Sequence, residues 1–125
     1  MADINAIAKQ FVDYYYQIFS SDRKNLAPLY RDHSMLTFES QQFQGTNSII
    51  EKIASLPFTS IQHQVSTMDA QPAATDKASM IVLVTGQLIT GDESNPLSFS
   101  QTFHLIPENG SYYVFNDIFR LILAG

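Results

Sequence analysis

Tyr112-Tyr113-Val114-Phe115-Asn116-Asp117-Ile118-Phe119-Arg120-Leu121-Ile122-Leu123 is the stretch that decides the fold. It is rich in aromatic and β-branched residues, the composition of a long β-strand. Side chains alternate across a strand, so strict alternation puts Val114, Asn116, Ile118, Arg120 and Ile122 on one face. Phe115, Asp117, Phe119, Leu121 and Leu123 take the other. Both faces are largely apolar, and each holds a polar or charged residue near its middle. An antiparallel sheet covered by its own helices usually leaves its second face wet. A strand apolar on both faces calls for a second cover. The reading is a homodimer through the sheet face, with Asp117 and Arg120 as satisfied polar groups of the dimer interface.

Working outward, Pro107-Glu108-Asn109-Gly110 before this strand reads as a hairpin turn, with Gly where positive φ is wanted. Leu97 to Ile106 and Ser79 to Ile89 read as strands, the second a continuous apolar run of the central kind. Thr90 to Pro96 between them is an acidic loop. Ser60 to Asp69 alternates Ile61, His63, Val65 and Thr67 against Gln62, Gln64, Ser66 and Met68. Before residue 60 the period changes. Ile4, Ile7, Phe11, Tyr14, Tyr15, Ile18 and Phe19 recur at helical spacing behind a capping Asp3. Ser21 or Asp22 opens a short second helix. Met35 to Glu39 reads as a strand with a short return through Phe43, and Thr46 or Asn47 caps a third helix that Pro57 ends.

Helices first and then a run of strands indicate an α+β fold in one domain spanning residues 1–125. The expected architecture is N-terminal helices packed on a strongly curved antiparallel sheet, forming a cone with an apolar cavity.

Composition narrows the function. Charged residues are only 15% of the 125, against a usual quarter, which suits a surface partly covered by partners. The formal net charge of −5 argues against nucleic acid and favours a partner with basic groups. There is no cysteine, so no disulfide framework and no thiolate chemistry. Met1-Ala2-Asp3 has neither the basic nor the apolar region of a signal peptide, and no apolar run approaches a membrane span. The chain reads as cytosolic or nuclear. Its end soon after Leu123 suits a free-standing protein.

The three histidines, His33, His63 and His104, show no metal-ligand spacing, and each reads as a hydrogen-bonded sheet histidine. No phosphate-binding loop or nucleophile motif appears, and no metal or cofactor is expected. An acid–base cavity enzyme, of isomerase or dehydratase type, is the alternative. Asp117, His63, Tyr14, Tyr15 and Tyr30 would be its raw material. Glu39 near one strand end and Asp92 and Glu93 in the acidic loop would instead form a charged rim around an apolar socket. That is the anatomy of a protein-binding hot spot.

A set of ordered segments goes further. It includes Asp22-Arg23, Leu36-Thr37-Phe38-Glu39, Gln42-Phe43-Gln44-Gly45, Ser55-Leu56-Pro57-Phe58, Ile61-Gln62-His63, Phe103-His104-Leu105-Ile106 and Asn116-Asp117-Ile118-Phe119-Arg120-Leu121. Together they resemble the nuclear transport factor 2 family, in the manner of its fungal members, over essentially the whole chain. The resemblance implies a homodimeric carrier and no catalysis. It implies binding of the small GTPase Ran in its GDP form and of Phe-x-Phe-Gly nucleoporins, in cytoplasm and nucleus and concentrated at the pore. It implies that an aromatic side chain of Ran enters the cone between Phe38, Phe58, Ile61, Leu88, Ile118 and Phe119, with His63 nearby. Glu39, Asp92 and Glu93 would pair with basic residues beside that anchor. Ile4 and Met35 match the nucleoporin-repeat site. The family often has Trp where Phe38 and Ile4 stand; Phe38 keeps an aromatic wall, whereas Ile4 does not. The acidic loop is longer by one residue than in animal members.

Overall fold

The computed structural model describes residues 3–57, 60–91 and 95–122. Helix α1 runs Ile4–Ser21, and the Asp3 carboxylate accepts from the Asn5 N–H at 3.0 Å, as the sequence leads one to expect. Its buried stripe is Ala8, Phe11, Val12, Tyr15, Tyr16 and Phe19, the three-and-four spacing of one helix face. Asp22 then serves two elements. Its N–H donates to the Ile18 carbonyl and closes α1, while its side chain accepts from the Lys24 N–H and starts a 3₁₀ segment, Arg23–Leu29. Helix α2 spans Thr46–Ala54. The expected Thr46 or Asn47 cap is not used: the cap residue is Gly45 at φ 91°, with no side-chain bond. The helix also ends three residues short of Pro57, its last carbonyls taken by the Ser55 N–H.

Six strands follow one another around a single curled sheet: β1 Met35–Phe38, β2 Gln41–Gln44, β3 Ile61–Pro72, β4 Met80–Thr90, β5 Leu97–Glu108 and β6 Ser111–Leu121. Their order is β2-β1-β6-β5-β4-β3, and β1 pairs with β6 in parallel. The sheet is therefore mixed rather than wholly antiparallel. A parallel pair needs a long crossover, and here the whole middle of the chain supplies it. The β5–β6 hairpin is tighter than expected. Pro107 and Glu108 still pair within β5, leaving Asn109 and Gly110 (φ 52° and 80°) as a two-residue turn of the primed kind.

Two irregularities decide which side chains face inward. Between β5 and β6, His104 pairs with Asn116 and Leu105 with Val114, so Phe115 is an extra residue. A bulge of one residue flips the alternation beyond it. Strict alternation separates Val114 from Asp117 and Phe119; the bulge puts all three on the buried side. The second lies in β3, where the register shifts between Val65 and Thr67. Ile61 and His63 face inward before it, and Met68 and Ala70 pack against the core after it. Opposite this bulge stands Gly86. A Cβ there would lie 2.1 Å from the Gln64 carbonyl oxygen, so only hydrogen fits.

The inner face receives α1. Tyr15 meets Phe103 edge-on at 4.9 Å between ring centres, and Tyr16 stacks flat on His63 at 4.1 Å. The outer face is left open, with Ile81, Leu83, Ile89 and Ile118 each 39–52% exposed.

Candidate functional site

Inside the curl, between the sheet, α1 and α2, lies an apolar cavity of about 370 Å³, its open mouth included. Ile53 and Leu56 line it from α2 and its exit, Ile61 and Leu88 from β3 and β4, and Phe38 and Phe119 from β1 and β6. The two phenylalanine rings stack nearly parallel at 4.8 Å, and Phe99 continues the stack behind Phe119 at 5.6 Å. On the other face of Phe38, the Lys52 ammonium sits 5.4 Å from the ring centre, and it lies 5.7 Å from that of Phe43. A cation over an aromatic face is attracted by its quadrupole, which pins this wall from outside.

The floor is polar. Tyr16 donates its hydroxyl to Gln101 Oε1 at 2.8 Å, and Gln101 Nε2 donates to Asp117 Oδ1 at 2.8 Å. Tyr30 donates to Asp117 Oδ2, also at 2.8 Å. Having spent its one proton there, Tyr30 accepts from the Tyr15 hydroxyl at 2.6 Å. Tyr15 itself stands 3.4 Å from Asp117 Oδ2, at the outer limit of a useful bond. Burial pushes the Asp117 carboxyl up to about 6, against the pull of the hydrogen bonds from Gln101, Tyr30 and Tyr15. Burial, and then the Asp117 charge, raises Tyr15, Tyr16 and Tyr30 above the ordinary phenol range. His63, stacked between Tyr16 and the cavity, is depressed to about 3 by burial and stays neutral.

Of the residues proposed for the socket, Phe38, Ile61, His63, Leu88 and Phe119 are brought together here. Ile118 is not: it lies on the outer face, 52% exposed, because β6 alternates and Phe119 beside it points in. Asp117 is corrected in the opposite sense. It is 1% exposed inside the protomer, so it belongs to the cavity floor and not to a dimer interface; Arg120 does lie exposed on the outer side. Glu39 follows the wall residue Phe38 in the β1–β2 turn, at a positive φ of 52°, and is not itself among the residues that line the cavity. Its N–H donates to the Phe119 carbonyl, and its carboxylate accepts from the Leu121 N–H, so it also ties the β1–β2 turn to β6. Phe58, Asp92 and Glu93 lie outside the described residues. Ile4 packs against the core from the first turn of α1, whereas Met35 begins β1 on the outer side of the sheet. Among the acid–base candidates, Tyr15, Tyr30 and Asp117 meet at the floor, and Tyr14 is exposed. Gln101 escaped the sequence reading. Its signal was a polar residue in the row Phe99, Gln101, Phe103, Leu105, otherwise wholly apolar.

The Nuclear transport factor 2 (NTF2) domain family matches residues 7–121. The chain belongs to the nuclear transport factor 2 family. A relative from Emericella nidulans named nuclear transport factor 2 is 58% identical over 123 residues, covering 98% of each chain. One of the same name from Schizosaccharomyces pombe is 55% identical, covering 97% of this chain and 98% of its own. The solved structure of nuclear transport factor 2 from Cryptosporidium parvum superimposes with a TM-score of 0.88 at 44% identity, covering 95% of this chain and 94% of that one. Membership in this family carries a nuclear-transport role and a nucleocytoplasmic setting. Both of these relatives are named as transport factors.

Proposed function

We propose that the protein carries the small GTPase Ran, in its GDP form, into the nucleus, and that it crosses the pore by binding Phe-x-Phe-Gly repeats of nucleoporins. The observation that carries the reading is the aromatic-walled cavity, with Glu39 next in sequence to its wall residue Phe38. An aromatic side chain of Ran enters between Phe38, Ile61, Leu88 and Phe119, with His63 as a neutral ring behind it. Glu39, with Asp92 and Glu93, pairs with basic residues around that anchor. GTPase switch loops rearrange with the γ-phosphate, so the anchor is presented in one nucleotide state and withdrawn in the other. Release then loses the pocket contact and the ion pairs together.

Calorimetric titration tests this reading directly. Ran loaded with GDP is expected to bind, and Ran loaded with a GTP analogue is not. Equal binding of both forms, or of neither, would overturn it. The informative variant at the rim is Glu39→Gln. A lysine there would also remove the acceptor that holds Leu121 N–H, whereas glutamine keeps an acceptor oxygen and loses only the charge. Affinity should fall about ten-fold or more, a loss of ~1.4 kcal/mol or above for an interfacial ion pair. Unchanged affinity would remove Glu39 from the rim.

The exposed apolar outer face supports a homodimer through that face. Leu83, Thr102 and Ile118 lie side by side across β4, β5 and β6. Leu83→Asp would put a charge in a desolvated seam, and sedimentation should then report a monomer where the parent is a dimer. A dimeric variant would place the contact elsewhere. Ile4 and Met35 lie on opposite sides of the sheet within a protomer, so a repeat groove using both is completed across that seam. Two such grooves per dimer give avidity with fast exchange at each.

A second reading, the acid–base cavity enzyme, is favoured by one observation: Asp117 and two tyrosines at the cavity floor. The names of the relatives support the carrier instead.

A further inference from the structure

We infer that Lys52 is a positioning residue for partner binding: its ammonium holds the Phe38 ring in place as a wall and so sets the shape that a partner meets. The inference rests on the carrier reading for the identity of that partner. The Phe38 backbone is fixed by the sheet, paired with Gln41 on β2 and with Phe119 on β6. Strand pairing leaves the side-chain torsions open, so contacts on the ring must choose the rotamer. Two contacts do so. Phe119 stacks on one face, with ring centres 4.8 Å apart and planes 6° from parallel. Lys52 lies over the other, 5.4 Å from the ring centre. Phe119 is itself backed by Phe99 at 5.6 Å, so the inner side of the stack is firm. The outer side depends on the cation.

Lys52 is directed wholly at this hairpin. Among the described residues it forms no ion pair. Its ammonium reaches Phe38, the Phe43 ring at 5.7 Å and Gln41 Oε1 at 3.2 Å, so one cation ties α2 to both β1 and β2. Lys52 and Phe38 are each half-buried, and a cation over a ring gains strength as water is thinned out around it. The space inside the wall is small, about 20 Å³, so the socket has little slack and the seat of Phe38 decides its form. A contacting side chain works only when packing behind it locks its rotamer. A ring that leaves its seat part of the time lowers the apparent affinity by the fraction of molecules in which the wall is lost.

The test compares the parent with Lys52→Gln, which removes the cation and keeps a good helix former, and with Lys52→Arg, which keeps the cation. In the parent, the Lys52 Hε protons should be shifted upfield by the rings and show nuclear Overhauser contacts to Phe38 and Phe43. Contacts between the Phe38 and Phe119 rings should weaken in Lys52→Gln and persist in Lys52→Arg. Titration with Ran loaded with GDP should find Lys52→Gln about two- to five-fold weaker than the parent, the range of a partly exposed cation over a ring, and Lys52→Arg close to the parent. The sign is diagnostic. Losing a positive charge strengthens the long-range attraction of an acidic protein for a basic partner, so a purely electrostatic role predicts tighter binding. Equal or tighter binding by Lys52→Gln would overturn the inference, as would unchanged contacts between Phe38 and Phe119. Failure of the parent to bind Ran would overturn the carrier reading instead, and the ring contacts in the three proteins would then decide by themselves whether Lys52 positions Phe38.

Discussion

Gly86→Ala should destabilise the protein by about 3 kcal/mol or more, at the upper end of what overpacking a site costs. The new methyl would sit 2.1 Å from the Gln64 carbonyl oxygen, 3.0 Å from its carbonyl carbon and 3.1 Å from the Val65 Cα. All three neighbours are backbone, so no side chain can swing aside. The strand itself has to move, and it moves at the β3 bulge that turns His63 inward on one side and Met68 on the other. Relief would come by widening the β3–β4 pairing, at the cost of ladder hydrogen bonds on a long strand. Urea unfolding with the midpoint compared at constant slope measures the effect. A loss under about 1 kcal/mol would mean that the bulge yields easily, and that the close approach does not set the register.

The pH dependence of stability should split into two opposed parts, one from His63 and one from Asp117. His63 is held near 3 when folded and is near 6.5 when unfolded. Between those values the unfolded chain binds the extra proton, so stability rises with pH through that window and is lost as pH falls through it. The full span is about 5 kcal/mol at ~1.4 kcal/mol per pH unit. Asp117 works the other way. It is near 6 when folded and 3.8 when unfolded, so the folded chain holds the extra proton between those values. Stability from this group falls as pH rises from about 4 to 6, by about 3 kcal/mol, and stays lower above. Over their common window the two slopes nearly cancel in the parent.

Removing either group should expose the other. His63→Phe keeps a flat ring for the stack on Tyr16 and leaves only the Asp117 slope. Relative to the parent, this variant should lose stability steadily as pH rises from 4 to 6. Asp117→Asn should gain relative to the parent over the same range. The other carboxylates are common to all three proteins and drop out of the differences. Denaturation at a series of pH values decides the matter, and a pH-independent difference for His63→Phe would mean that this ring is not held neutral by burial.

Much of the architecture is legible in local pattern. The helical spacing from Ile4 to Phe19, the cap at Asp3 and the turn at Asn109-Gly110 depend on neighbours a few residues away, and each is found where the chain places it. The apolar character of both faces of β6 likewise announced an uncovered outer surface. Five residues of the proposed socket, Phe38, Ile61, His63, Leu88 and Phe119, do line one cavity, and the resemblance to the family pointed to them. Gln101 was legible only as a polar break in an apolar row.

The sequence by itself determined which segments are helix and which are strand, because hydrophobic period and turn chemistry are local. Only the tertiary structure decided which way the strands face and what meets inside. The parallel pairing of β1 with β6 joins residues about eighty apart, and nothing local to either strand encodes it. The extra residue at Phe115 exists only in relation to β5, yet it reverses the face of everything before it. That is why alternation alone set Val114 apart from Asp117, and why Asp117 read as an interface residue. Its partners, Tyr30 just after the 3₁₀ segment and Gln101 on β5, come from distant parts of the chain. A buried carboxyl is tolerable only where such donors converge, and convergence is a property of the folded chain alone.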